Sequence, residues 1–225
     1  INGLLIPQSG NVLVDGLNTR TKENLGLVRQ RVGMVFQYPE DQIVATSVAE
    51  DVAFGPENLG LPSTEIRKRV TEALAMVGLE EHANRAPHML SGGQTQRLAL
   101  AGVLAMRPSV VLFDEATTML DPAGRRMALE WMVRLHRESM TVVFITHHME
   151  EATLASRVLV LNKGQIALEG VPEDVYQNTD CGIQPQQDEF ESLSVGPFGT
   201  AHRFGCRHWR RAGGPMGALG ARCQE

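Results

Sequence analysis

Leu-Ser-Gly-Gly-Gln at residues 90–94 opens the stretch that decides the fold. A helix-like run follows as far as Met106, where Arg-Pro-Ser at residues 107–109 breaks it. A serine and two glycines at the start of a helix favour an anion, because the first backbone N–H groups are free and the helix dipole is positive there. Glycine also allows a phosphate to approach the backbone closely. The stretch therefore predicts an anion-binding turn ahead of a helix.

A short strand and two acids come next. Residues 110–113, Val-Val-Leu-Phe, are apolar and end in Asp114 and Glu115. An apolar run of this length, bounded by a proline turn and two carboxylates, is typical of a buried parallel strand. Ligands of open α/β sheets bind at the carboxyl ends of such strands. The two acids are therefore expected where a metal bound to a phosphate would lie.

Together, in this order, the two motifs resemble those of the ATP-binding-cassette (ABC) ATPases. Residues 90–94 resemble the signature motif of that family, and residues 110–115 resemble its Walker B strand with the catalytic glutamate. The alternative is a glycine-rich turn before a helix and a strand that ends in surface acids. The resemblance implies an α/β fold: a phosphate-loop-NTPase-like core with a mainly parallel sheet, plus a helical subdomain over about residues 38–106.

Composition limits the class of protein. The chain has 225 residues, enough for one domain or for one domain with a tail, and its formal net charge of −5 gives no basic surface for nucleic acid. No apolar run reaches the roughly eighteen residues of a membrane span, and no basic region precedes the apolar N-terminal residues as in a secretory signal. The three cysteines all lie after residue 180, which fits a reducing compartment for the rest of the chain.

One motif of the family has no match. The phosphate loop, or Walker A motif, would read G-x-x-x-x-G-K-[ST], and the chain contains no such sequence. Residues 1–7 resemble the segment that follows this loop and its helix in ABC proteins. We therefore expect an ABC domain that is incomplete at its N-terminus. A protein that never had a phosphate loop is the alternative.

The segment around Gln37 narrows the subfamily. Gln37 follows a predicted strand at residues 32–36 and corresponds to the start of the Q-loop, which in this family touches the metal and the water and connects to the membrane partner. A solvated loop residue is the alternative. Residues 36–42 and 48–56 together resemble the energy-coupling-factor ATPases, which include cobalt- and nickel-type importers and several vitamin importers.

Two further segments match family motifs. Residues 116–121 resemble the D-loop, with Thr118 where serine is more usual, and Asp121 is expected to cap a helix that starts at Pro122. A predicted strand at residues 141–145 leads to His147, the match to the switch histidine of the family. His148 stands where aspartate is more usual; a metal site on the histidine pair is the alternative, although neighbouring residues after a strand point in different directions.

The chain divides into two predicted regions. Residues 1–180 form the truncated ABC domain, in which Ser63 is expected to cap a helix that stops at Gly78, and residues 157–169 are expected to form a hairpin. Residues 181–225 hold few apolar residues and predict a disordered, low-order tail, for which a reading-frame shift in the gene is one explanation. Zinc binding by Cys206 and the nearby histidines is the alternative for the tail.

The resemblance implies a mechanism, with ATP and Mg²⁺ as its ligands. Two ABC subunits, identical or different, would form a head-to-tail dimer on the cytoplasmic face of the membrane, bound to an integral membrane subunit through the Q-loop region. The implied roles are ATP contacts in trans by Ser91, Gly92, Gly93 and Gln94, Mg²⁺ binding by Asp114 and Gln37, catalysis by Glu115, His147 and Gln37, and a D-loop role for Asp121. The expected activity is ATP hydrolysis coupled to the import of metal ions or vitamins.

Two other functions remain open at this stage. A non-transport ABC ATPase acting on DNA or ribosomes would be expected to show a basic surface or a long coiled coil, and the sequence has neither. A catalytically inactive fragment or regulatory module would follow from the lack of a phosphate loop. The transported solute cannot be read from this chain, because other subunits recognise it in such systems.

Overall fold

A computed structural model describes residues 1–179 and the strand at Glu191–Val195, with side chains placed up to residue 176. The described part contains eight strands: β1 (Leu13–Val14), β2 (Leu17–Asn18), β3 (Val32–Val35), β4 (Val110–Asp114), β5 (Thr141–Thr146), β6 (Val158–Asn162), β7 (Gln165–Gly170) and β8 (Glu191–Val195). The same residues contain seven α helices: α1 (Leu25–Arg31), α2 (Val48–Asn58), α3 (Ser63–Val77), α4 (Gly92–Ala105), α5 (Pro122–Arg137), α6 (Met149–Ala152) and α7 (Pro172–Thr179). None of these helices has the length and apolar character needed to cross a bilayer.

The main sheet has the strand order β3-β4-β5-β8-β6-β7. Strands β3, β4 and β5 are parallel neighbours, with Val35 beside Phe113 and Phe113 beside Phe144. Strand β8 runs antiparallel to both β5 and β6, so β6 points the same way as the first three. Four strands therefore share one direction and bring their carboxyl ends to one edge of the sheet.

Both faces of the sheet are covered in its β3–β5 part. Valines and phenylalanines of the sheet pack with helices α2 to α5 in the larger core, where Val35, Val111 and Phe144 are buried. On the other face, Val14 and Val28 from the β1–β2 hairpin and α1 pack in a smaller cluster with sheet residues. These strands read as continuous apolar runs because both of their faces are buried.

Helices α2, α3 and α4 form the predicted helical subdomain. Ser47 and Glu50 make a capping box at the start of α2, and α3 ends at Gly78 in the left-handed conformation that favours glycine. The expected cap at Ser63 is wrong: Ser63 is the first helical residue, Pro62 occupies the cap position, and no side chain caps this end. Proline is tolerated here because its fixed φ is compatible with the extended backbone of a cap residue, observed at Pro62 with φ of −60° and ψ of 146°.

Two predicted features at the C-terminal end have different outcomes. The hairpin is confirmed as β6 and β7, joined through Lys163 and Gly164, which both have positive φ. The predicted low-order tail at residues 181–225 lies mostly outside the described residues, and so does the zinc alternative around Cys206. The one described segment within these residues, Glu191–Val195, is a strand between β5 and β6 that the sequence analysis did not predict.

Candidate functional site

The carboxyl end of β4 carries the two acids that the sequence singled out. Asp114 is the last residue of the strand, and Glu115 follows it in the left-handed region with φ of 47°. The backbone N–H of Glu115 donates to the carbonyl of Ile145 at 3.1 Å, which ties the turn to the neighbouring strand β5. A non-glycine residue with positive φ is uncommon and concentrates at functional sites. The turn aims the Glu115 side chain along the edge of the sheet.

One carboxylate oxygen of Glu115 gathers side chains from three segments. Gln37, just beyond β3, donates its Nε2–H to Glu115 Oε2 at 3.0 Å. Thr118 donates its hydroxyl to the same oxygen at 3.4 Å, and Nδ1 of His147, just beyond β5, lies 3.7 Å from it. All three predicted catalytic residues, Gln37, Glu115 and His147, therefore meet at the edge of the sheet beside Asp114.

The electrostatics at this edge suit a cation. Burial raises the pKa of Asp114, and the neighbouring charge of Glu115 raises it further. The amide of Gln37 uses its nitrogen on Glu115, and its oxygen has no partner among the described residues. A carboxylate and an amide oxygen are ligands that Mg²⁺ accepts, and Mg²⁺ usually completes its shell with phosphate and water. The donor set therefore fits Mg²⁺ held jointly with a phosphate.

The signature turn has the features of an anion site. Ser91 caps α4 and forms a capping box with Gln94: Ser91 Oγ accepts from the Gln94 N–H, and Gln94 Oε1 accepts from the Ser91 N–H at 2.9 Å. Ser91, Gly92 and Gly93 are exposed. Within the described residues, the N–H groups of the two glycines have no acceptor, as expected for the first turn of a helix. These two N–H groups and the hydroxyl of Ser91 thus form a set of three exposed donors.

A cleft of about 430 Å³ joins the signature turn to the predicted D-loop. Asp121 lies on its wall and caps α5 by accepting from the N–H of Gly124 at 2.6 Å, as the sequence predicted. Trp131 and Met127 belong to the apolar part of the wall, together with Met119 and Leu120. Neither Asp114 nor Glu115 lines this cleft. Within one chain, the predicted site residues therefore fall into two groups, one at the sheet edge and one around the signature turn.

Sequence reasoning missed a buried carboxylate that joins the loops of the site. Glu151 is only 2% exposed, and its Oε2 accepts from the hydroxyls of Thr117 at 3.0 Å and Thr146 at 2.6 Å. Its Oε1 lies 2.9 Å from Arg125 Nε as an ion pair without hydrogen-bond geometry. Thr146 also accepts from the N–H of His148 at 3.0 Å. Glu151 therefore connects the start of the D-loop, the switch-histidine loop and helix α5.

His148 shares this environment. Desolvation lowers its pKa, and the positive charge of Arg125 lowers it further. Its ring lies against that of His147, with centroids 4.1 Å apart. The sequence did not reveal that Glu151 is buried, because two adjacent acids such as Glu150 and Glu151 are usually both exposed to solvent. Ala152, buried beside Glu151, was the available indication that this part of α6 turns inward.

Comparison with known proteins places the chain in a family. The model of the family described as ABC transporter matches residues 1–118. Energy-coupling factor transporter ATP-binding protein EcfA1 of Symbiobacterium thermophilum is 58% identical over 181 residues, which cover 80% of this chain and 63% of that protein. EcfA1 of Clostridioides difficile is 53% identical over 201 residues, covering 87% of this chain and 73% of that protein. The chain thus spans less than two thirds of the length of the first of these relatives.

Solved structures agree with the fold. The structure of cbiO1 from Clostridium perfringens, described as part of the ABC transporter complex cbiONQ, matches with a TM-score of 0.72 and 37% identity over 80% of this chain and 73% of that one. A dimeric ATP-binding cassette in a post-hydrolysis state, bound to ADP and Pi, matches with a TM-score of 0.67 and 31% identity over 76% of this chain and 77% of that one. The predicted fold is confirmed, and the chain belongs to the ABC transporter family, with relatives of the energy-coupling-factor type.

Proposed function

We propose that this chain is part of an ATP-hydrolysing subunit that energises a membrane importer of metal ions or vitamins. The observation that carries the proposal is a single oxygen of Glu115, at the edge of a parallel sheet, that accepts from Gln37 and Thr118 and lies 3.7 Å from His147 Nδ1. A base surrounded by oriented polar groups beside a cation-binding carboxylate is the arrangement that phosphoryl transfer to water requires. The relatives named as energy-coupling-factor ATP-binding proteins support the transport role.

The residues at the sheet edge divide the work. Glu115 orients the attacking water and accepts its proton. Its strained turn and its three neighbours fix the carboxylate before reaction, so little reorganisation is needed. His147, exposed over 34% of its side chain, would contact the γ-phosphate. Gln37 bridges the base and the cation site through the two ends of its amide.

Asp114 and Gln37 would hold Mg²⁺ when nucleotide is bound. The ion supplies charge neutralisation at the transferred phosphate. In the chain without a cation, burial and the negative charge of Glu115 both disfavour the ionised form of Asp114. A bound cation would offset both effects. No group of three or more Asp, Glu, His or Cys side chains in the described chain could hold a metal alone. That fits a site in which phosphate oxygens supply ligands as well.

The signature turn is proposed to act on nucleotide held by a second ABC subunit. Its hydroxyl and the two glycine N–H groups face outward, and none of the groups at the sheet edge lines the adjoining cleft. A ligand that needs both groups is therefore best shared between two chains arranged head to tail. The solved relative described as dimeric and bound to ADP and Pi supports this arrangement.

Apolar side chains near Gln37 provide a surface for the membrane subunit. Phe36, Tyr38, Val44 and Phe54 belong to the Q-loop segment and the start of the helical subdomain, and each is more than a third exposed. Exposed apolar side chains grouped in one region mark interaction surfaces. We assign this surface, named here the Q-loop patch, to an integral membrane subunit, which would place the chain on the cytoplasmic face of the membrane.

The test uses a loop-extended chain, in which an ABC phosphate-loop segment is joined ahead of Ile1. We expect Mg²⁺-dependent ATP hydrolysis that requires a dimer. Ser91→Arg should abolish hydrolysis and leave nucleotide binding by the isolated subunit intact, because the signature acts on the other subunit's ATP. Hydrolysis that survives Ser91→Arg, or that never appears in a folded loop-extended dimer, would overturn the proposed function.

A further inference from the structure

We propose that His82 is a positioning residue for the signature turn, acting through the side chain of Gln94. The inference rests on the proposed function only for its catalytic consequence. His82 closes the short 3-10 turn at Glu80–His82, and its Nε2 lies 2.8 Å from Gln94 Nε2. None of the motifs that identify the family contains His82, although it reaches the residue that completes the capping box of α4.

The hydrogen bonds of Gln94 select the tautomer of the neutral His82 ring. The Ser91 N–H donates to one end of the Gln94 amide at 2.9 Å. Only the amide oxygen can accept this bond, so that end of the side chain is Oε1. The nitrogen end, a donor, therefore faces His82. The facing ring nitrogen must accept, which requires a neutral imidazole with its proton on Nδ1. One bond thus specifies both the amide orientation and the tautomer.

The backbone that carries the His82 ring is fixed by hydrogen bonds and by a buried neighbour. Leu79, fully buried, precedes the turn, and its carbonyl accepts from the His82 N–H at 2.9 Å. The carbonyl of Ala83 accepts from the N–H of Ala49 in α2 at 2.8 Å. The turn that carries His82 is therefore attached to helices α2 and α3. Through His82, the position of these two helices determines the position of Gln94 at the start of α4.

The other ring nitrogen argues against a merely space-filling role. Nδ1 of His82 is buried and has no hydrogen-bond partner among the described residues. A buried polar atom without a partner is unfavourable, so an apolar side chain of similar size would fill the space better. What the histidine adds is the acceptor at Nε2. If that acceptor is lost, the Gln94 amide can rotate away, and the Ser91 N–H loses its partner.

The direct test is NMR of the 225-residue chain, with ¹⁵N-labelled histidine and backbone, at a pH where histidine is neutral. We expect His82 as the Nδ1–H tautomer. His82→Phe keeps a ring without the acceptor and should shift the Ser91 amide resonance and speed its hydrogen exchange about tenfold. His82→Gln places an acceptor near the Nε2 position and should restore the wild-type behaviour. His88→Phe, at an exposed histidine of the next turn, is the control.

The catalytic consequence is measured in trans. The chain is mixed with an intact ABC subunit whose own signature serine is replaced by arginine, so that hydrolysis depends on Ser91 of this chain. His82→Phe should lower kcat about tenfold without lowering the melting temperature, and His82→Gln should recover most of the lost kcat. An Nε2–H tautomer, or Ser91 exchange and kcat unaffected by His82→Phe, would overturn the inference. If the unmodified mixture is inactive while the NMR results hold, the proposed function fails and the structural role of His82 stands.

Discussion

Gln37 Nε2 donates to Glu115 Oε2 at 3.0 Å, joining two residues that are 78 positions apart in the chain. The contact forms because β3 and β4 are parallel neighbours, so the residues that follow them emerge side by side. The residue assigned to the Q-loop therefore touches the residue assigned as the base. A displacement of the Q-loop patch by a partner subunit would move the amide that orients Glu115, which gives the proposed coupling a physical route.

Replacing the base tests its assigned role. In the loop-extended chain, Glu115→Gln should retain ATP binding and lower the turnover by about 10²–10⁴-fold, the usual effect of losing a general base. The amide keeps the shape of the side chain but cannot accept a proton. Steady-state hydrolysis and nucleotide binding would be measured on the same preparation. Hydrolysis close to that of the unmodified protein would remove Glu115 from the mechanism.

Asp114→Asn should change stability in a pH-dependent way. Burial and the charge of Glu115 raise the pKa of Asp114 in the folded chain, so the ionised carboxylate destabilises the fold at neutral pH. We expect the amide variant to have the higher melting temperature at pH 7.5. The difference should shrink as the pH falls through the raised pKa of Asp114 and should be lost below the ordinary aspartate pKa of about 3.9, where the folded and unfolded states both bind the proton.

The measurement is thermal unfolding of the 225-residue chain at several pH values without Mg²⁺. Asp41→Asn, which removes an exposed carboxylate from the Pro39–Gln42 turn, is the control and should show no such trend. A lower melting temperature for Asp114→Asn at pH 7.5 would mean that the carboxylate is stabilised by its surroundings, contrary to the raised pKa.

Local sequence sufficed for features that depend on neighbouring residues. The caps at Asp121 and Ser91 and the helix stop at Gly78 each involve partners within four residues, and each is observed. The strand that ends in Asp114 followed from its unbroken apolar run. These features depend on the backbone geometry and side-chain size of neighbouring residues, so a short stretch of sequence is enough to predict them.

Contacts between distant segments could not be read in the same way. The bond of Gln37 to Glu115 depends on the order of strands in the sheet, and the sequence does not state that order. Glu151 was missed because its partners lie on other elements, Thr117 on the turn after β4 and Thr146 at the end of β5, and nothing local distinguishes it from Glu150. The strand at Glu191–Val195 was missed because its residues lack the apolar pattern of a central strand.

The buried position of Glu151 predicts a difference between two adjacent acids. Glu151→Gln should lower the free energy of unfolding by about 1–3 kcal/mol, because Arg125 loses its partner and two hydroxyls lose a charged acceptor. Glu150→Gln, at the exposed neighbour, should stay within about 0.5 kcal/mol. Urea unfolding of the two variants gives the comparison, and equal stabilities would contradict the role of Glu151.

The same pair of variants should affect His148 differently. The charge of Glu151 raises the pKa of His148 against the opposing effects of burial and Arg125. Glu151→Gln should therefore lower that pKa further below the ordinary value of about 6.5, and Glu150→Gln should lower it less. Histidine NMR titration measures both. A rise in the pKa of His148 in Glu151→Gln would be incompatible with the observed charge arrangement.

Two glycines provide a matched test of packing. A Cβ on Gly33 in β3 would lie 2.3 Å from Val103 Cγ1 of α4 and 3.2 Å from Pro108 Cγ, so Gly33→Ala should cost about 1–3 kcal/mol of stability. Gly26→Ala in α1 meets nothing within 4 Å and should gain about 0.4–1 kcal/mol. Thermal unfolding distinguishes them. Similar melting temperatures would indicate that α4 does not pack on β3 as closely as the structure has it.

The 225-residue chain should not bind ATP tightly by itself. The phosphate loop normally supplies a backbone N–H cradle and a lysine for the β- and γ-phosphates, and the sequence contains no such loop. The signature turn offers a few hydrogen bonds, each worth about 1.5–3 kcal/mol to a charged group. That gain must also offset the entropy lost when the ligand is immobilised.

Calorimetry with Mg-ATP should therefore give no saturable low-micromolar binding by the chain alone. Adding an intact ABC subunit should give binding that Ser91→Arg weakens. Saturable low-micromolar binding without a partner would show that the chain holds phosphates through residues other than those assigned to it.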